Sequence, residues 1–160
     1  MMLGTGLYGQ DYKQTLDRIK SIYVYNFMKD IEWSGVSDTE ARICVLEAGG
    51  FKDELQKLAT TKNLNGKSIT VNIIPSASDC RACDVLFIEE SAATKRFKRE
   101  GSFKGLIITH GFYDRSITNV ALLFNENKLQ FSINTDLCNK LGFKISSHLS
   151  SLANQKLITP

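Results

Sequence analysis

The sequence CRACDVLFI, residues 80–88, decides the fold that this chain is expected to adopt. Its last four residues, 85–88, are all apolar, and a strand needs such a run when both faces of its sheet are covered. Similar apolar runs lie on either side of it, at residues 43–46 and 106–108, and a candidate helix separates each from the central run. We therefore expect residues 85–88 to form the central strand of a layered α/β domain.

Two further patterns complete the predicted sheet. Residues 68–73 alternate polar and apolar side chains, as expected of a strand near a sheet edge, and Pro75 ends them. Residues 120–124 and 129–133 flank a polar four-residue hairpin turn. The predicted fold class is a single-domain α/β protein with a mixed, largely parallel β-sheet flanked by helices on both faces. These are Rossmann-like layers without the dinucleotide fingerprint, because Gly49 and Gly50 lack the third glycine of that motif.

Helical periodicity predicts the elements that cover the sheet. Residues 11–31 carry one apolar stripe at three- and four-residue intervals, formed by Tyr12, Leu16, Ile19, Tyr23, Phe27 and Ile31. Trp33 follows this helix, either as a packing anchor or as a platform for a ligand. Near the other end of the chain, Asn134 or Thr135 is expected to cap a short helix that Gly142 closes. Ser146 or Ser147 is expected to cap a last helix.

Composition limits the class of protein. With 160 residues, of which 42% are hydrophobic, the chain is long enough to bury one core without a metal ion. Its net charge of +3 and mixed charges argue against a nucleic-acid-binding surface, and the sequence contains no transmembrane segment. Residues 1–10 are apolar and uncharged, which is typical of the remnant of a signal peptide or of a disordered terminus. Residues 11–160 are predicted to form the single domain.

The sequence shows no catalytic constellation. Cys80 and Cys83 form a C-x-x-C motif, but it precedes a strand, whereas a redox motif opens a helix. The remaining cysteines and the two histidines, His110 and His148, are scattered singly, which argues against a zinc site and against a hydrolase triad. No catalytic residue, metal or cofactor is therefore expected. The alternative function that stays open is an intracellular small-molecule-binding or thiol redox enzyme on an α/β scaffold.

A recognition surface is predicted at the carboxyl ends of the parallel strands, where loops separate at the switch point of an open sheet. The partner- or ligand-surface candidates are Glu89, Ser91, His110, Phe112 and Tyr113. Ser91 can also cap a helix whose outward residues include Lys95 and Arg99. That basic face is either solvated or an alternative site for an acidic partner.

Four blocks of sequence resemble the YfiR-like periplasmic family, the domain of unknown function 4154. The blocks are KSIYVYNFMKDIEW at 20–33, RICVLEAGGFKDELQKL at 42–58, CDVLFI at 83–88 and LQFSINTDLCNKLGFKISSHLSSLA at 129–153. The resemblance implies an exported, periplasmic regulator without catalysis. The resemblance further implies that such a regulator controls a membrane-bound diguanylate cyclase or sensor kinase through protein–protein contact, with an OmpA-like lipoprotein as the partner that releases the control. The sequence leaves open whether the protein forms a homodimer.

The resemblance also bears on the cysteines. Cys83 matches the cysteine at the entry of the family's strand, and Cys44 lies in a neighbouring strand, so a Cys44–Cys83 disulfide is expected. Cys80 with Cys138 is the complementary pairing. Three departures from the family pattern, at Met28, at Ser34 and in the loop at residues 113–118, leave the identity of the partner open.

Overall fold

A six-stranded sheet forms the centre of the protein in the computed structural model, which describes residues 4–46, 49–89, 103–125 and 128–153. The strands of this sheet are β2 (Glu40–Leu46), β3 (Ser68–Ile74), β4 (Val85–Glu89), β5 (Leu106–His110), β6 (Val120–Asn125) and β7 (Lys128–Ile133). Two short strands, β1 (Ile31–Glu32) and β8 (Lys144–Ile145), form a separate small sheet. The helices are α1 (Gly4–Asp30), α2 (Gly49–Thr61), α3 (Thr135–Leu141) and α4 (Ser147–Leu152), and a 3₁₀ helix spans Ala77–Ala82.

The strand order β3-β2-β4-β5-β6-β7 confirms the predicted architecture. β4 lies inside the sheet between β2 and β5, and its first four residues are buried. β3, which was predicted from its alternating pattern, is an edge strand. The pairings from β3 through to β6 are parallel, whereas β6 and β7 form the predicted antiparallel hairpin. The fold is therefore a single-domain α/β fold with a mixed, largely parallel sheet.

Each face of the sheet has its own core. Alternation along β2 sends Ile43 and Val45 to the first core cluster, which contains buried residues of all four α-helices. There the rings of Phe51 and Phe87 stack with their centroids 4.3 Å apart. Cys44 and other residues of the opposite face form the second core cluster with the 3₁₀ helix and the segments at residues 103 and 117. The predicted helix after Ser91 lies outside the described residues.

The first helix differs from its prediction. It begins at Gly4 and ends at Asp30, and the predicted apolar stripe is wrong in its amino-terminal half, where Tyr12 is 56% and Ile19 39% exposed. The helix instead turns Asp17 and Lys20 toward the protein interior, because Lys20 pairs with Glu89 at the end of the sheet and Asp17 pairs with Lys20. None of the helices in the described ranges combines the length and hydropathy of a membrane span.

The carboxy-terminal caps are as predicted. Asn134 is the N-cap of α3, and its side chain accepts a hydrogen bond from the backbone N–H of Leu137. Gly142 follows α3 with a φ of 80°, a left-handed conformation that favours glycine. Ser146 caps α4 in the same way as Asn134 caps α3, through Leu149. The small β1–β8 sheet connects the end of α1 to this region.

Candidate functional site at the carboxyl edge of the sheet

The carboxyl ends of β4 and β5 place two polar side chains next to each other. Glu89 is the last residue of β4, His110 is the last residue of β5, and the parallel register pairs them. Nδ1 of His110 lies 2.8 Å from Oε2 of Glu89. The two residues that were predicted to share a surface therefore form one hydrogen-bonded pair.

A lysine from α1 joins this pair. Nζ of Lys20 donates to Oε1 of Glu89 at 2.7 Å and lies 3.1 Å from Oδ1 of Asp17 on the preceding turn of the helix. Lys20 is only 5% and Asp17 only 4% exposed. The ammonium group also lies 5.1 Å from the ring centroid of Phe51, within cation–π distance. Burial of these charges is tolerated because each carboxylate faces the same ammonium group.

Burial and hydrogen bonding act on Glu89 in opposite directions. Burial by itself raises the pKa of a carboxyl group, because the charged form loses water. The hydrogen bonds from His110 and Lys20, together with the charges of these groups, outweigh burial and lower the pKa of Glu89 below its ordinary value of 4.5. Glu89 is therefore ionised at neutral pH and fixes the orientation of the imidazole.

A carboxylate that orients an imidazole also occurs in hydrolase triads, which need a hydroxyl or thiol nucleophile on the other ring nitrogen. Among the residues that the structure describes, the imidazole of His110 forms a hydrogen bond only with Glu89. The neighbouring hydroxyl of Thr109 is engaged elsewhere, since it donates to the carbonyl oxygen of Phe112 at 2.8 Å. In this geometry the cluster holds α1 against the ends of β4 and β5. No group of three or more His, Cys, Asp or Glu side chains within the described ranges is arranged to hold a metal ion.

The loop after β5 carries the two aromatic candidates. Gly111 turns the chain with a φ of 84°. Phe112 follows it and packs, half-buried, against the second core cluster. The hydroxyl of Tyr113 is buried, with no hydrogen-bond partner in the described part of the chain, and burial raises the pKa of this group. Asp114 then closes a tight turn by accepting hydrogen bonds from the N–H and hydroxyl of Ser116.

We call Glu89, His110, Phe112 and Tyr113 the carboxyl-edge surface. Glu89 and His110 bond each other directly, whereas the two aromatic side chains follow on the adjoining loop. Ser91 lies outside the described residues, and so do Lys95 and Arg99, the alternative basic site.

Sequence reasoning missed Asp17 and Lys20. It followed the aromatic stripe, although a second stripe of Asp17, Lys20, Val24, Phe27 and Ile31 has the same three- and four-residue spacing. The opposite charges of Asp17 and Lys20, three residues apart, were the available signal, because such a pair can be buried more easily than a lone charge.

The cysteines divide between the two faces of the sheet. Cys44 and Cys83 form a disulfide with their Cα atoms 5.7 Å apart, which confirms the expected bridge. The complementary bridge is wrong, because Cys80 lies in the second core cluster and Cys138 in the first, with the sheet between them. Since Cys83 is bonded to Cys44, the C-x-x-C motif does not form a redox pair of its own, which counts against a thiol redox enzyme.

A comparison with protein-family models matches residues 17–154 to the family described as DUF4154, YfiR/HmsC-like. The chain belongs to the YfiR/HmsC-like family. The match includes every residue of the carboxyl-edge surface and the cysteines of the disulfide. The YfiR-like family is known for a regulatory role in the periplasm, and this role is not catalytic. No curated protein matches the chain.

Proposed function

We propose that the protein is a periplasmic regulator that controls a membrane-bound signalling enzyme, such as a diguanylate cyclase or a sensor kinase, through protein–protein contact. An OmpA-like lipoprotein is proposed as the partner that releases this control. The observation that carries the proposal is membership of the YfiR/HmsC-like family over residues 17–154.

The disulfide supports the proposed compartment. Disulfides persist in oxidising compartments, including the bacterial periplasm, and are rare in the reducing cytosol. Cys44 and Cys83 are 3% and 6% exposed, and their bond joins β2 to the residues directly before β4 inside the protein. A bond in the core of the sheet is suited to a structural role in an exported protein.

The carboxyl-edge surface is proposed as the contact with the membrane enzyme. Its polar half is preorganised, because Lys20 and His110 hold the carboxylate of Glu89 from two sides. Its aromatic half is held by the hydrogen bond from Thr109 to Phe112. Aromatic side chains on a rigid loop lose little conformational entropy when a partner binds, and they often carry much of the binding energy.

The test is to measure binding of the disulfide-bonded protein to the periplasmic domains of membrane-bound cyclases and sensor kinases from the same organism. We expect Phe112→Ala to weaken binding by at least about tenfold, as is typical of an aromatic anchor. The control is Leu152→Ala, since Leu152 is 59% exposed on α4, which follows the β1–β8 sheet at the other end of α1 from Lys20. Cells that lack the regulator should contain more cyclic di-GMP if the enzyme is a cyclase.

Two results would contradict the proposal. Absence of binding to either class of membrane enzyme, together with unchanged cyclic di-GMP, would exclude the function. Equal binding of the Phe112→Ala and Leu152→Ala variants, with both folded at the assay temperature, would move the contact away from the carboxyl-edge surface.

A further inference from the structure

A cavity of about 550 Å³ lies at the opposite end of the sheet from the carboxyl-edge surface. Arg42 from the beginning of β2 lines it, and so do Asp84 and Gly105, the residues that directly precede β4 and β5. Its volume is within the range of small-molecule sites. We call it the amino-edge cavity.

The amino-edge cavity is lined by more basic than acidic side chains. Arg42, Arg81 and Lys104 line it, against one carboxylate, that of Asp84. This carboxylate is 5% exposed and already accepts hydrogen bonds from the backbone N–H of Arg42 at 2.7 Å and from its Nε at 3.3 Å. The described lining therefore has an excess of positive charge, which favours an anion.

Arg42 is oriented for a second partner. Its Nε and Nη2 face Asp84 at 3.3 and 3.4 Å, while its side chain is still 37% exposed. A guanidinium group carries five N–H donors, so the two bonds to Asp84 leave others available. A fixed arginine of this kind suits the paired oxygens of a carboxylate or phosphate group.

Two aromatic side chains, Trp33 and Phe103, form the apolar part of the cavity wall. Trp33 lines it, and the indole also packs against Phe143 with ring centroids 5.8 Å apart. Phe103, 5% exposed, lies over Gly105, where an added Cβ would come within 2.5 Å of its ring and 2.7 Å of the carbonyl oxygen of Asp84. Gly105 thus allows the aromatic ring to approach the backbone and form this wall.

The disulfide stiffens the same cavity. Cys83 is a lining residue, and its bond to Cys44 fixes the entry of β4 to the neighbouring strand. Arg81 and Asp84, on either side of Cys83 in the sequence, are thereby held close to a covalent crosslink. Preorganised sites lose less entropy on binding.

We propose that the amino-edge cavity binds a small organic anion, whose carboxylate or phosphate group is held by Arg42 and Arg81 and whose apolar part lies against Trp33 and Phe103. The site is separate from the carboxyl-edge surface. The proposal does not depend on which membrane enzyme the protein contacts, so the two can fail independently.

The sequence provides a direct probe, because Trp33 is the only tryptophan in the chain. Its fluorescence, excited at wavelengths where phenyl groups do not absorb, reports on the surroundings of Trp33. Because Trp33 also lines a second, smaller cavity, the variants described below assign any change to the amino-edge cavity. The oxidised full chain is titrated with benzoate and with phenyl phosphate, and in parallel with benzyl alcohol, which has the ring without the charge, and acetate, which has the charge without the ring. We expect a saturable change with at least one aromatic anion and weaker binding of the other two compounds.

The variants separate binding from folding. Arg42 is left unchanged, because its replacement would leave the buried carboxylate of Asp84 without its partner and could unfold the protein. The binding variant is instead Arg81→Ala with Lys104→Ala, because both of these residues are exposed. We expect it to bind the aromatic anion about tenfold or more weakly, as the loss of charge-assisted hydrogen bonds predicts. The control with the same loss of charge is Lys62→Ala with Arg115→Ala, also exposed and outside the cavity, and should bind normally.

Three outcomes would overturn the proposal. One is the absence of a saturable change with both aromatic anions below about 10 mM, the limit of weak but specific binding. Another is equal affinity of the two double variants while both are folded. The third is binding of benzyl alcohol as strong as that of benzoate and phenyl phosphate, which would show an apolar cleft only.

Discussion

At the scale of single residues, Glu89 connects three elements through one carboxylate. Its two oxygens bond Lys20 of α1 and His110 of β5, and the residue itself ends β4. Removing the carboxylate leaves the ammonium of Lys20 buried with Asp17 as its remaining carboxylate partner. Loss of one partner from a buried charge cluster is strongly unfavourable, because the remaining charge keeps its desolvation cost.

We therefore expect Glu89→Gln to reduce the free energy of unfolding by about 3 kcal/mol at pH 7. The folded-state pKa of Glu89 is lowered below 4.5, so its contribution is complete above pH 4.5 and is lost as the pH falls through the folded-state pKa. The difference between wild type and variant should accordingly shrink below pH 4.5, as measured by urea unfolding across pH. Asp38→Asn, at an exposed carboxylate, is the control, and a difference independent of pH would contradict the assignment.

Tyr113 offers a prediction of opposite sign. Its hydroxyl is buried without a hydrogen-bond partner in the described residues, and a buried unpaired polar atom destabilises the folded state. Tyr113→Phe should raise the free energy of unfolding by about 1 kcal/mol. Tyr25→Phe is the matched control, because the Tyr25 hydroxyl donates to the carbonyl of Asn63 at 3.0 Å and its removal should stabilise nothing. Denaturant unfolding of both variants checks this, and equal changes would show that the Tyr113 hydroxyl has a partner in solution.

At the scale of the elements, the disulfide joins β2 to the segment directly before β4, the strand that pairs with β2. Cys44 and Cys83 are 39 residues apart in the sequence, so the bond restricts a long loop in the unfolded chain. Replacing both by alanine should lower the free energy of unfolding by about 3 to 4 kcal/mol, on the chain-entropy model. In this variant, a reductant should no longer change the melting temperature. The control is Cys80→Ala with Cys138→Ala, whose melting temperature should still fall when a reductant is added, as in the wild type. A wild-type melting temperature unaffected by reductant would count against a structural bridge.

The elements also show where sequence reasoning succeeds. The central strands were predictable because they are buried on both faces, which favours the uninterrupted apolar runs at residues 85–88 of β4 and 106–108 of β5. The caps of α3 and α4 were predictable because Asn134 and Ser146 bond the backbone locally. In both cases, the residues that decide the structure are close together in the sequence.

Long-range pairings were not predictable in the same way. α1 has two stripes of equal period, and the choice between them depends on Glu89, which lies 69 residues from Lys20. β1 and β8 have two residues each, too few to carry a period, and they pair across more than 100 positions of the chain. The amino-edge cavity was not predicted, because ligands of open α/β sheets usually bind at the carboxyl ends of the strands. The arginines of this cavity lie at the amino ends instead.

At the scale of the whole molecule, β4 and β5 carry both candidate sites. Glu89 and His110 end these strands, while Asp84 and Gly105, in the wall of the amino-edge cavity, directly precede them. Each strand is paired on both sides, and both are buried almost throughout. The centre of the sheet is thus a rigid support between the proposed protein contact and the proposed anion site.

This arrangement predicts the order in which the native protein opens. Within the described part of the sheet, β3 pairs with β2 alone, and three of its seven residues, Ser68, Asn72 and Ile73, are exposed. Edges with few buried contacts open locally, whereas central strands exchange their amide hydrogens only when the whole domain unfolds. Hydrogen exchange followed by mass spectrometry should therefore show peptides from β4 and β5 exchanging at least about tenfold more slowly than peptides from β3. The unfolding rate in denaturant supplies the reference for global opening, and equal protection of β3 and β4 would mean that the sheet opens as one unit.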